Sequence, residues 1–275
     1  MKPLFTAIFL LILFSAEGQP FNYKRDFKTI LEKTKDKNDS LYYNTLIKRY
    51  LENDPTLTKA ETLALLIGFT ENKYYKPVKD METEKEIIEL NDNGYYEEAL
   101  EETEKYLKTH PLSLSATKER SYAYYQLKKR DSAEYFMDLN DKIMQAMIYS
   151  GKGRKPETAI FSLGLIDGDY FLANAGMTPS KQTTFTDKSR LLMYGADALT
   201  DENAHLDFYF VIQHAKDKIE SDEIAEKQKN KKLEAAKNKR IQKIKSKKGK
   251  NEPEPALTEP EQPEKEIEAA DSTKN

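Results

Sequence analysis

The sequence predicts an α+β fold: helical hairpins built on a repeat of about 34 residues, covered by a small antiparallel β-sheet and followed by a charged helical and then disordered tail. Three observations predict it. Apolar residues recur at helical spacing through the first 150 or so positions. Between residues 158 and 213 the pattern shifts to β-forming, alternating residues. Beyond Ala215 the aromatic residues vanish and charge takes over.

The stretch Asp80–Ser113 organises the helical part. Ile87, Ile88 and Leu90 form one apolar stripe, and Tyr96, Ala99, Leu100, Tyr106 and Leu107 form another. Asn93-Gly94 separates them, with glycine free to take the positive φ that ends a helix, and Pro111 stops the second helix. Small residues at 94 and 99 are expected to let the two helices cross closely. A step of 34 residues from Ala99 lands on Ala133, and from Leu90 on Tyr124, which gives a second, degenerate unit over Leu114–Met147. This helix–turn–helix pair resembles two tetratricopeptide-type repeats. Because each such unit buries its apolar face against a neighbour, two of them need a further element to cap them.

The remaining elements follow in order. Met1–Gly18 has Lys2, an apolar run from Leu4 to Phe14 and small residues at Ala16 and Gly18, the pattern of a cleaved secretory signal. An apolar run of roughly 11 residues is short of the ~20 that span a bilayer. The chain has no cysteine, so neither a lipidated cysteine anchor nor a disulfide is expected. The chain is therefore expected in the periplasm or outside the cell. Phe27, Ile30 and Leu31 mark a first helix between Phe21 and Asp36; Ser40 is a candidate cap for a second, carrying Leu41 to Leu51; Thr58 with Glu61 is a capping box for a buried third over Lys59–Phe69. After a helical domain over residues 21–150 comes a sheet region over 151–215, with strands expected at Thr158–Leu165, Leu191–Ala196 and Leu206–Gln213. Asp167-Gly168-Asp169 reads as a turn, Tyr170–Ala175 as a short helix closed by Gly176, and Met177–Asp187 as a loop. Residues 216–250 read as a basic, partly helical stretch and 251–275 as a disordered acidic tail.

With the elements placed, a family resemblance appears. Tyr42-Tyr43, Arg49-Tyr50-Leu51-Glu52-Asn53-Asp54 and Thr56-Leu57-Thr58 resemble the opening of the DUF4919 family, a domain of unknown function in exported Bacteroidetes proteins. Gly151–Ile160, Asp169-Tyr170-Phe171-Leu172 with Gly176, and Leu206–Ile212 resemble its later motifs in the same order. The resemblance covers about residues 21–213 and implies one α+β unit, with no activity or site residues to carry over.

Chemistry is sparse. A net charge of −3 argues against nucleic-acid binding by bulk charge, while the basic tail is a candidate for weak association with anionic envelope polymers or for a structural tether. No cofactor is expected. His205 and Asp207 could share a strand face as zinc ligands but read as the solvated side of an edge; no metal site is expected. The glycines and cations of Gly151–Lys155 lack Walker spacing and precede a strand, which makes a linker of them. Ser162 and Ser189 lack a nucleophile-elbow context, and the Glu97-Glu98 and Glu101-Glu102 pairs fan out along one helix rather than facing across a cleft. No catalytic residues are assigned, and the chain is read as a non-catalytic interaction module. Its groove, by analogy with repeat arrays, takes Glu84, Ile88 and Asn91 from the first unit and Lys118, Tyr122 and Tyr125 from the second, so Asn91, Lys118, Tyr122 and Tyr125 are the peptide-binding candidates. Alternatively Tyr122 and Tyr125 pack against Leu41–Phe69. A rival function is a hydrolase with its site between sheet and helices, around Asp167, Asp169 and His205.

Overall fold

The computed structural model describes residues 21–199 and 204–248; the signal-like residues 1–18 and the acidic stretch 251–275 lie outside the described residues. Seven helices come first. α1 (Tyr23–Lys35) is capped by the side chain of Asn22, α2 (Tyr43–Leu51) has no side-chain cap, and α3 (Lys59–Phe69) starts at a complete Thr58/Glu61 capping box. Ser40 therefore does not cap α2. The turn ahead of it is held instead by Asp39, whose carboxyl accepts from the Leu41 N–H. Leu63 to Ile67 are all buried, because beyond its exposed first turn α3 runs between α1, α2 and α7.

The repeat-like part consists of α4 (Pro77–Asp92), α5 (Tyr96–Leu107), α6 (Leu114–Gln126) and α7 (Arg130–Ser150). α5 packs on α4 and α6, and α6 packs on α7. Ala99 and Ala133 are buried where these helices meet. Gly94 acts differently from expectation: a Cβ there would touch nothing within 4 Å, so close helix crossing does not require it. What requires glycine is its φ of +78°, which turns the chain out of α4. Lys128 takes the equivalent φ of +60° at the turn of the second hairpin.

After α7 the chain makes a 3-10 turn at Pro156–Thr158 and a two-residue strand β1 (Ile160–Phe161). The expected longer strand is cut short because Ser162 Oγ donates to the Gly164 carbonyl and the Gly164 N–H donates to Asp167, which curls the backbone out of the sheet. Asp167-Gly168-Asp169 is the first turn of α8 (Asp167–Asn174) rather than an isolated turn. β2 (Thr178–Thr186) lies where a loop was expected, followed by β3 (Leu192–Leu199) and β4 (His205–Val211). Sequence patterning missed β2 because it is an edge strand exposed along nearly all its length, so it carries no alternation between apolar and polar residues. The strand order is β1-β4-β3-β2, with β2–β3 and β3–β4 antiparallel and β1–β4 parallel. The sheet is thus mixed, not purely antiparallel.

The main hydrophobic core joins α1, α2, α3, α6, α7 and α8 to the sheet, and a smaller cluster of Ile87, Tyr106 and Ala116 lies among α4, α5 and α6. At the centre of the main core the fully buried Phe161 ring meets Phe21, Tyr23 and Phe27 from the α1 side and His214 from α9 (Gln213–Lys248). Burying a ring of that size contributes roughly 1.5–3 kcal/mol. Tyr75 OH donates to the Leu163 carbonyl at 2.8 Å and Tyr50 OH to the Leu139 carbonyl at 3.1 Å, so both buried phenols find acceptors across the core. A compact unit extends to Glu223, and a second begins at Ile224 with the exposed distal length of α9. Among the described residues no helix is long and apolar enough to cross a membrane.

His214 is held neutral by this packing. Burial lowers its pKa from 6.5 to about 4, against a smaller opposing effect of the Leu163 and Ser162 carbonyls. A depressed histidine supplies stability that is complete above pH 6.5 and is lost as pH falls toward 4. His214 is expected to contribute a weakening of up to about 1.4 kcal/mol per pH unit across that window, and His214→Phe to remove that contribution from the slope. Urea unfolding at pH 7 and pH 4.5 measures both; equal slopes in the two proteins would remove His214 as the cause.

Candidate functional site

The concave side of the two helical units is not open. α8 lies across it, against α6, and one carboxyl fastens it there. Asn91 Nδ2 donates to Glu119 Oε2 at 2.6 Å and to the Glu119 carbonyl at 2.9 Å, while Tyr170 OH of α8 donates to Glu119 Oε1 at 2.6 Å. Asn91 is buried at 2% exposure, so this expected groove residue faces the protein's own α6 and not a ligand. Glu84, from the same expected set, is also buried, and Ile88 is half-buried.

Glu84 sits in a closed acid-rich cluster with Asp80, Tyr106, His110, Ser113 and Asp167, around a cavity of about 20 Å³. That volume accommodates a single water and no substrate. Ser113 caps α6 by accepting from the Ala116 N–H and gives its proton to Glu84 Oε1 at 2.6 Å. Glu84 Oε2 is buried without a hydrogen-bond partner among the described residues. Burial, and then the charge of Asp167, push Glu84 up from 4.5 to about 8; burial raises Asp167 as well, offset by the Gly164 and Leu163 N–H groups. His110 stacks on Tyr106 at 4.3 Å and lies 3.2 Å from Asp80. Burial alone would lower its pKa, but Asp80 and the Tyr74 and Tyr106 carbonyls outweigh that and raise it. The hydroxyl proton of Ser113 is committed to a carboxyl rather than to a histidine, so the arrangement lacks the pairing that activates a nucleophile.

The three residues expected around a hydrolytic site are dispersed. Asp167 closes on Gly164; Asp169 accepts from Tyr194 OH and Gln182; His205 pairs with Asp197 at 2.8 Å on the exposed sheet face. Tyr194 and the residue facing His205, Leu199, are five positions apart on β3, about 17 Å, beyond hydrogen-bond reach. Among the described residues no group of three or more histidines and acids is placed to hold a metal ion. In the glycine loop, Gly153 N–H donates to the Thr158 carbonyl and its carbonyl accepts from Tyr209, so the loop is spent on holding β1 and β4.

Lys118, Tyr122 and Tyr125 do come together. They line an open groove of about 470 Å³ between α6 and α7, opposite Arg130, Ala133, Glu134 and Met137. Tyr122, Tyr125 and Met137 are 41%, 63% and 43% exposed, so the tyrosines do not pack on Leu41–Phe69. Tyr122 is braced edge-on by Tyr96 at 6.0 Å, and Ser121 Oγ donates to the Ala133 carbonyl, tying the floor of the groove. Lys118 lies 5.3 Å above the Tyr170 ring, and burial lowers its pKa against the opposing charge of Glu119. The α7 wall was overlooked in the sequence, although its signal is simple: in an antiparallel hairpin turning at Lys128, residues equidistant from the turn face each other, which places Met137 opposite Lys118.

A family model described as a domain of unknown function (DUF4919) matches residues 28–221. The chain belongs to the DUF4919 family. No curated protein and no solved structure matches it. The DUF4919 match contains the groove, the Glu119 contacts and the acid cluster, and ends two residues before the first structural unit does.

For this DUF4919 protein the acid cluster has a measurable consequence. A carboxyl raised to about 8 favours the fold while it keeps its proton, so the contribution of Glu84 to stability is complete below pH 4.5 and declines as pH rises to about 8. Glu84→Gln, which retains an acceptor for Ser113, is expected to flatten that decline and to be more stable than the parent at pH 8 by on the order of a few kcal/mol, with little difference at pH 4.5. Chemical unfolding at the two pH values checks this; parallel curves would show that Glu84 does not titrate in the window.

Proposed function

We propose that this protein is an exported, non-catalytic interaction module that receives an apolar segment of a protein partner in the groove between α6 and α7. The observation that carries the reading is the cluster of Tyr122, Tyr125 and Met137, three large side chains exposed around one concave site of about 470 Å³. Rigid aromatic walls give contact area at little entropic cost. Cations stand at both ends, Lys118 beside Met137 and Arg130 beside Tyr125, and favour a partner with an apolar centre flanked by acids. Along α6 the lining runs from Lys118 to Tyr125, about 10 Å or two helical turns, so the segment bound is short. Export rests on the signal-like pattern of Met1–Gly18.

The test is capture from envelope extract with the parent chain and a Lys118→Ala, Tyr122→Ala double variant. Tyr122 is exposed and Lys118 half-buried over the Tyr170 ring, so circular dichroism and a thermal melt of the double variant, with Tyr122→Ala alone beside it, separate lost binding from lost folding. Loss of two contacts of this kind is expected to weaken binding roughly 10- to 100-fold. A partner retained equally by both proteins would remove the groove from the function.

A further inference from the structure

The distal length of α9 has a composition unlike the rest of the chain. From Ile224 to Lys248 it carries eleven lysines and arginines against two glutamates, whereas residues 21–223 carry 36 acids against 29 bases. It is helical to Lys248, and every side chain from Glu223 to Gln242 is exposed. Twenty-five helical residues make a rod about 37 Å long, with a cation every 3–4 Å or so.

The pattern of the remaining residues narrows the partner. Leu233, Ile241 and Ile244 fall within about 80° of one another at about 100° per residue, but Lys237 and Lys248 fall on the same arc and Ile224 about half a turn away, so no uninterrupted apolar face forms. A helix that lies in a membrane interface needs an apolar face opposite a charged one, and a coiled coil needs a continuous seam; this helix has neither. Its cations are spread around the whole circumference, which suits a flexible strand that can follow them and leaves half of them idle against a flat surface.

The helix is also under electrostatic load. Lys227 and Lys231, Lys239 and Lys243, and Lys243 and Lys247 are like charges at i,i+4, and Lys229/Lys232 and Lys237/Arg240 repeat the conflict at i,i+3. Such pairs destabilise an isolated helix by a few tenths of a kcal/mol each. A bound polyanion would relieve them all at once, so binding and helix formation should be coupled.

We propose that residues 224–248 are a binding arm for a linear, flexible polymer with closely spaced phosphate groups. Recognition is by charge density along the rod, with no requirement for a particular sequence or sugar in the polymer. The interaction is separate from the α6–α7 groove and does not depend on it.

The experiment uses the chain from Gln19 onward and fluorescently labelled long-chain inorganic polyphosphate as the probe, followed by anisotropy. The comparison is a variant with Lys231, Lys232, Lys239, Arg240 and Lys243 all changed to Gln, a residue of similar helix propensity. The parent is expected to bind, to lose about 100-fold in affinity between 50 and 200 mM salt if some five phosphates are neutralised, and to gain helical circular dichroism on binding; the variant is expected to lose at least 10-fold. Equal binding by parent and variant, or no gain in helicity on binding, overturns the proposal. So does tighter association of the parent with phosphatidylglycerol vesicles than with polyphosphate, which would assign the arm to a lipid surface. Lys118→Ala with Tyr122→Ala serves as the control that leaves polyphosphate binding unchanged and keeps the two surfaces distinguishable.

Discussion

The carboxyl of Glu119 is the contact on which the rest of the arrangement depends. A buried acid is tolerated only when donors surround it, and here Asn91 of α4 and Tyr170 of α8 supply them from two sides. Glu119 itself is on α6, so one side chain joins both helical units to the element that enters the sheet. Two helical units cannot bury their own stacking and concave faces. The chain solves this by laying its own α8 across them, and the consequence is that the surface used by longer repeat arrays for ligands is used here for folding.

The same seam explains why so many ionisable groups lie inside the protein. Asp80, Glu84 and Asp167 converge where α4, the α5–α6 link and the start of α8 meet, and burial favours the neutral form of Glu84 and Asp167. Such a cluster looks like catalysis when read as a list of residues. In the fold the Ser113 hydroxyl donates to Glu84, His110 is stacked on Tyr106, and the space among them is about 20 Å³. Perturbed acids mark either function or folding.

How much could be foreseen follows from where each residue's partners are. The Thr58/Glu61 box, the break at Gly94 and the burial of Ala99 and Ala133 were legible because their signals are local or repeat at fixed spacing. β2 was not, since an edge strand need not alternate, and β1 shrank because Asp167 captures Gly164 from outside the strand. The groove was half legible. Lys118, Tyr122 and Tyr125 share one helix face and could be read together, whereas Asn91 was placed beside them by analogy with arrays whose concave side is empty. That analogy fails at one point, the position of α8, which no local pattern in Asp167–Asn174 announces.

Once α8 fills the concave side, what remains available to partners is limited to surfaces the fold does not consume, and these differ in kind. The α6–α7 groove is apolar and shaped, so as a docking site it would select by fit over about 10 Å. The distal α9 is a row of charges without an apolar face, so it can select only by charge density. The two also carry opposite surroundings: the folded part has an excess of acids, and the arm an excess of bases. The cations at the ends of the groove have the same sign as those of the arm, so acids flanking an apolar segment would be attracted to either, and only the apolar centre distinguishes the groove. Apolar fit, which the arm lacks, is therefore what would distinguish the two surfaces.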